Sequence, residues 1–105
     1  MSHKETEIIQ WGLERNIIGP EGLATTASQC IKTLEEVEEL SGAITSNDKA
    51  EAIDAIGDIY VTLVLQANLW GVDMDHCIDA AYKEIQHRTG KMVDGAFVKD
   101  STPPA

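Results

Sequence analysis

The chain is 105 residues long, enough for one domain with a single core and little to spare. Its 18 Asp and Glu against 8 Lys and Arg leave a net charge of −10, which argues against nucleic acid as a direct partner, because phosphate contact draws on Lys and Arg. Two cysteines, Cys30 and Cys77, fall at apolar-periodic positions and read as small core residues in a reducing compartment, not as a disulfide.

The periodicity is helical throughout. A first helix is expected over residues 5–18, carrying Ile8, Ile9, Trp11, Leu13, Ile17 and Ile18, with Gly19-Pro20 as its stop. A second should begin within residues 21–26 and end near Thr45. Its apolar stripe is Ala27, Cys30, Ile31, Leu34, Val37, Ser41 and Ile44, while Gln29, Lys32, Glu35, Glu36 and Glu39 cluster on the opposite side at ~100° per residue. Ser46-Asn47-Asp48 makes a turn, and Asp48 with Glu51 resembles a capping box opening a third helix over residues 49–70. Gly71 ends that helix, and Asp73 or Asp75 caps a fourth that holds Cys77, Ile78, Ala81, Tyr82 and Ile85 inward and stops at Thr89-Gly90. Residues 91–105 lack helical periodicity and show no useful β-alternation, and residues 100–105 read as a flexible tail. One domain is therefore expected over residues 1–99. No basic-then-apolar leader opens the chain, and the most apolar run, residues 55–72, holds Asp58, Gln66 and Asn68; a soluble, cytoplasmic protein with no membrane partner is the expectation.

Two acidic groups stand out, Glu35-Glu36-Val37-Glu38-Glu39 and Asp54-Ala55-Ile56-Gly57-Asp58. Carboxylates at i, i+3 and i+4 share a helix face and repel one another, so a compensating partner is needed. A hard divalent cation such as Mg²⁺, which prefers oxygen ligands, supplies one. Asp58 is the only charged residue of residues 55–72, and a carboxylate in a nearly all-apolar helix calls for a metal or a hydrogen-bonded partner in the core. Glu51, Asp54 and Asp58 share one stripe with Val61 and Leu65, and Glu51 is open to two roles, a cap or part of this chemistry. The short connection makes the second and third helices antiparallel, which brings Glu39 to the height of residues 54–58.

The order Lys32-Thr33-Leu34-Glu35-Glu36-Val37-Glu38-Glu39-Leu40, then Asp54-Ala55-Ile56-Gly57-Asp58-Ile59-Tyr60-Val61, Gly71-Val72-Asp73 and Tyr82-Lys83-Glu84-Ile85 resembles the all-α nucleoside triphosphate pyrophosphohydrolases of MazG type. The closing segment from Arg88-Thr89-Gly90-Lys91 to Phe97-Val98-Lys99 looks like their small, single-domain, phage-type branch. The resemblance implies an all-α four-helix bundle that oligomerises, as dimers or as tetramers built from dimers, with the substrate held between subunits. It also implies cleavage of a nucleoside triphosphate between its α- and β-phosphates, giving a monophosphate and pyrophosphate.

Carried onto this sequence, the family's E-x-x-E pair falls on Glu36 and Glu39, and the Asp of its second motif, E-x-x-D, on Asp58. The first acid of that second motif is replaced by Ala55. Asp54, one residue earlier, is the expected substitute, with Glu51 ranked second. The resemblance thus implies Glu36, Glu39, Asp54 and Asp58 as ligands of two or more Mg²⁺ ions, with Mn²⁺ able to substitute, and Glu35 or Glu38 orienting the attacking water. Glu35 is preferred because it lies beside Glu39 on the wheel. Lys32, Lys83, Arg88 and Lys91 are candidate phosphate ligands, Trp11 a stacking surface for the base, Gln29 its hydrogen-bond partner and Phe97 an anchor across a subunit interface.

Two other readings carry less of the sequence. Glu84 and His87 form one E-x-x-H pair, but a di-iron carboxylate bundle needs two. A non-enzymatic acidic partner for a basic surface explains the charge but not Asp58. Independently of the resemblance, Ile56, Ile59, Tyr60, Leu63, Val64, Leu69 and Trp70 surround the third helix more completely than three short neighbours can cover, which predicts self-association.

Overall fold

A computed structural model describes residues 1–100. Four helices follow in chain order, α1 (His3–Glu14), α2 (Thr26–Thr45), α3 (Lys49–Leu69) and α4 (Met74–Ile85), and then two strands, β1 (Gly90–Val93) and β2 (Ala96–Lys99). The all-α expectation holds for the domain body. Each helix begins at a side-chain cap. The Ser2, Asp48 and Asp73 side chains each accept the backbone N–H three residues on, and Thr25 and Ser28 bond reciprocally in a capping box. Asp73 is thus the cap of α4, not Asp75.

The first helix is shorter than its periodicity suggests. It ends at Glu14, and Asn16, at φ 59°, turns the chain so that Ile17 and Ile18 reach the core from a loop. Ile18 is still fully buried. The α1–α3 crossing is close because position 12 is glycine: a Cβ there would meet Leu65 Cδ2 at 2.7 Å.

The polar face of α2 packs on α3, and the apolar stripe faces away. Three contacts fix the antiparallel register of the two helices. Gln66 Nε2 donates to the Thr26 carbonyl at 3.0 Å, Thr33 Oγ1 to Thr62 Oγ1 at 2.9 Å, and Gln29 Nε2 reaches the Thr62 carbonyl at 3.4 Å. Ala43, Ala55, Val64, Leu65 and Ala67 fill the core. The expected inward stripe of α2 is therefore corrected: Cys30 is exposed, and Ile31, Leu34, Val37 and Ile44 are 58%, 60%, 45% and 68% exposed. The periodicity locates an apolar face truly, but it cannot say whether the chain's own helices cover it.

The same holds for α4. Only its N-terminal end packs on the body, through Met74 and Cys77, while Ile78, Tyr82 and Ile85 lie exposed instead of inward. That end is held by Glu5, a fully buried carboxylate of α1 whose Oε2 accepts the Met74 backbone N–H at 2.7 Å. An anion at a helix N-terminus satisfies an otherwise orphaned donor and complements the dipole.

Residues 90–99 correct the expectation of irregular structure, forming an antiparallel hairpin that pairs Gly90 with Lys99, Lys91 with Val98, Met92 with Phe97 and Val93 with Ala96. Its turn is Asp94-Gly95, both with positive φ (49° and 83°), the geometry that Asp-Gly favours in two-residue hairpins. The Ser101 to Pro104 stretch of the expected tail lies outside the described residues.

Candidate functional site

Since α2 and α3 run antiparallel, residue 36 stands opposite residue 58, just as 33 stands opposite 62. Carboxylate oxygens of Glu36, Glu39 and Asp58 all lie within 4.8 Å of one another. Glu36 Oε2 is shut off from solvent and has no hydrogen-bond partner. Desolvation, followed by the neighbouring Glu39 and Asp58, pushes the Glu36 carboxyl above its ordinary value. Asp58 is pushed up as well, by desolvation and then by the charges of Asp54 and Glu39. An orphaned carboxylate oxygen among three converging acids is a donor set that suits a hard divalent cation.

Asp54 is close enough for its charge to help raise Asp58, although it is not one of the three that converge. Glu51 is exposed, and its backbone N–H is taken by the Asp48 cap. The position where the family motif has a glutamate, Ala55, is fully buried. Glu35 is turned to solvent, where it pairs with Lys32 at 2.8 Å, and Glu38 is exposed.

A cavity of about 520 Å³ opens next to Glu36 and Asp58. Trp11, Ile17, Ala24, Val61 and Leu65 form apolar walls, and Ser28, Gln29, Lys32 and Thr62 add polar groups. Trp11 and Gln29, chosen from sequence for base recognition, both line it. Gln29 is buried, and Trp11 is 42% exposed with the Arg15 guanidinium 4.7 Å from its ring centre. The sequence reading missed Thr62, whose hydroxyl joins Thr33 to the Ile59 carbonyl; a polar residue inside an apolar run was the available signal. It also missed Ile17 and Ala24, which reach the cavity from the loop after α1. Lys83, Arg88 and Lys91 are not among the residues lining the cavity.

An antiparallel helix pair with converging acids from both members gives a donor set for a divalent cation beside a cavity of about 520 Å³. The MazG nucleotide pyrophosphohydrolase domain matches residues 25–93, and the chain belongs to that family. No curated protein and no solved structure matches it.

The electrostatics predict an unusual stability response. Because the folded protein raises Glu36 and Asp58 above ordinary values of 4.5 and 3.8, it holds protons that the unfolded chain releases. Stability from these groups is full below those ordinary values and is lost as pH rises through the raised ones. In chelator at neutral pH, Asp58→Asn should therefore melt a few degrees above wild type, a gain that shrinks as pH falls towards 4. Melting curves across pH check this, and a variant less stable than wild type at pH 7 would contradict it.

Proposed function

We propose that the protein hydrolyses nucleoside or deoxynucleoside triphosphates to the monophosphate and pyrophosphate in a Mg²⁺-dependent reaction, with Mn²⁺ able to replace Mg²⁺. The observation that carries this reading is the orphaned, desolvated Glu36 oxygen converging with Glu39 and Asp58, with Glu36 and Asp58 lining the cavity. Glu36, Glu39 and Asp58 would hold the metal, with Asp54, whose charge acts on Asp58, completing the set. Bound divalent ions would supply the positive charge that lowers the pKa of a water nucleophile and steadies the phosphate oxygens.

The chain's own residues do the rest. Trp11, Val61 and Leu65 take up the apolar faces of the base, Gln29 pairs with its polar edge, and Lys32 faces the phosphates. Glu35 orients the attacking water once Lys32 turns to the substrate. The base and sugar preference is set inside this cavity.

The reading includes assembly. Few residues of the apolar α3 are fully buried within one chain. By length and composition this helix could cross a membrane; Asp54 and Asp58 at its metal end and its packing against α1, α2 and α4 favour the core of a soluble, cytoplasmic homo-oligomer instead. The exposed stripes of α2 and α4 are its interfaces, in a dimer or a dimer of dimers. Pyrophosphate release from each common NTP and dNTP, with Mg²⁺, with Mn²⁺ and with chelator, tests the proposal. Release that needs the metal and varies with the base is expected; no release from any of them would overturn it.

A further inference from the structure

The hydrogen-bond donors on the walls of the main cavity are nearly all committed elsewhere. Of the loop residues that line it, Ile17 gives its backbone N–H to the Gly12 carbonyl and Ala24 gives its own to the Ile17 carbonyl, both at 3.0 Å. At the start of α2 the Ser28 N–H goes to Thr25 Oγ1 and the Gln29 N–H to the Thr25 carbonyl. Residues in the helix interiors spend theirs on their own helices. The hydroxyl protons are spent too. Ser28 Oγ donates to the Thr25 carbonyl at 3.2 Å, and Thr62 Oγ1 to the Ile59 carbonyl at 2.7 Å. Since a hydroxyl has one proton, only its lone pairs remain for a ligand.

Gln29 is the deciding group. It is 5% exposed, and its Nε2 meets the Thr62 carbonyl at 3.4 Å. A carbonyl only accepts, so this contact fixes which way the amide is turned and leaves the oxygen as its free end. Oε1 takes no hydrogen bond among the described residues, yet, unlike Glu36 Oε2, it is not shut off from solvent. On a residue so deeply buried, the side that stays open is the cavity it lines.

Two donors remain, and neither meets the edge of a base. Lys32 is held by Glu35 at 2.8 Å and stands one turn from Glu36, at the phosphate end. The indole N–H of Trp11 lies in the plane of its ring, so a base stacked on that ring meets the face instead.

Position makes the remaining acceptor selective. Gln29 precedes Glu36 on α2 by about two turns, or ~10 Å, on the same face. With the phosphates held at the acids, the part of a base that reaches Gln29 is the edge farthest from the sugar. In a pyrimidine that edge carries the group at C4, and in a purine the group at C6.

We propose that the cavity selects triphosphates of cytosine and adenine, which carry an amino group at that place, over those of uracil, thymine, guanine and hypoxanthine, which carry a carbonyl. The amino N–H is satisfied by Gln29 Oε1. A carbonyl brought there faces an acceptor and gives up its water without replacement. The proposal rests on the pyrophosphohydrolase reading for the phosphates at the acids, and on Gln29 for its selectivity.

Pairs of substrates that exchange amino for carbonyl test it. With the full-length chain and Mg²⁺, kcat/KM should be about tenfold to a hundredfold higher for dCTP than for dUTP, and for dATP than for dITP. Gln29→Leu, which keeps the bulk and removes the acceptor, should bring both ratios towards one through a raised KM for the amino member. Equal efficiencies within either pair, a preference for the carbonyl members, or unchanged ratios in Gln29→Leu would overturn the proposal. Should that variant fail to fold, the wild-type ratios decide alone. A chain that hydrolyses none of the four would remove the pyrophosphohydrolase reading, and calorimetry of dCMP against dUMP with Mg²⁺ then decides the selectivity. Tighter binding of dCMP upholds it, and equal affinity or no binding of either overturns it.

Discussion

Glu36→Gln is expected to cut metal-dependent turnover on the order of a hundredfold to a thousandfold, the loss of several kcal/mol of ion-derived charge stabilisation at ~1.4 kcal/mol per tenfold. The substitution keeps the shape of the side chain while replacing by a neutral amide the carboxylate whose Oε2 is shut off from solvent with no partner. Because the amide carries no charge, it also relieves the repulsion from Glu39 and Asp58 that raises Glu36 in the folded state. Activity and stability should thus move in opposite directions, with the metal-free variant melting no lower than wild type at neutral pH. Steady-state turnover with varied Mg²⁺, beside melting curves in chelator, reads both. A variant that loses activity and stability together would mean that Glu36 is a packing residue.

The second large effect is expected from the outer face of α2. Leu34 is 60% exposed, with Ile31 one turn before it and Val37 one turn after. If this stripe is an interface, covering each such side chain is worth roughly 1.5–3 kcal/mol, and a charge placed at its centre should cost more than that. Leu34→Asp is expected to lower the mass by light scattering from at least twice 11.4 kDa to the single-chain value. Under the proposed assembly, with the substrate held between subunits, activity should fall with it. An unchanged oligomer with full activity would place the interface elsewhere.

The helix count and the acids that meet were legible in the sequence because both depend on local spacing. The 3.6-residue period places Glu36 and Glu39 on one face, the lone charge of an apolar run marks Asp58, and a three-residue turn forces α2 and α3 to run antiparallel. Burial was less legible. Cys30, Ile31 and Leu34 look like core, and so do Ile78 and Tyr82, yet one chain leaves them in water; a period reports a face and not its partner. Glu5 went unnoticed because its role is tertiary: it caps α4 from 69 residues away. The hairpin was a different kind of miss. Asp94-Gly95 between Met92-Val93 and Ala96-Phe97-Val98 is a local signal, outweighed by the helical pattern preceding it. Asp54 remains the acid nearest in place to the missing glutamate of position 55, and its charge, which helps raise Asp58, supports that assignment.

The central claim is that the acidic trio directs scission between the α- and β-phosphates. The most direct measurement is hydrolysis in ¹⁸O-labelled water with Mg²⁺, followed by mass spectrometry of all products. A nucleoside monophosphate and pyrophosphate in equal amounts, with the label in one of the two, are expected. A nucleoside diphosphate with orthophosphate, carrying the label in either, would contradict it.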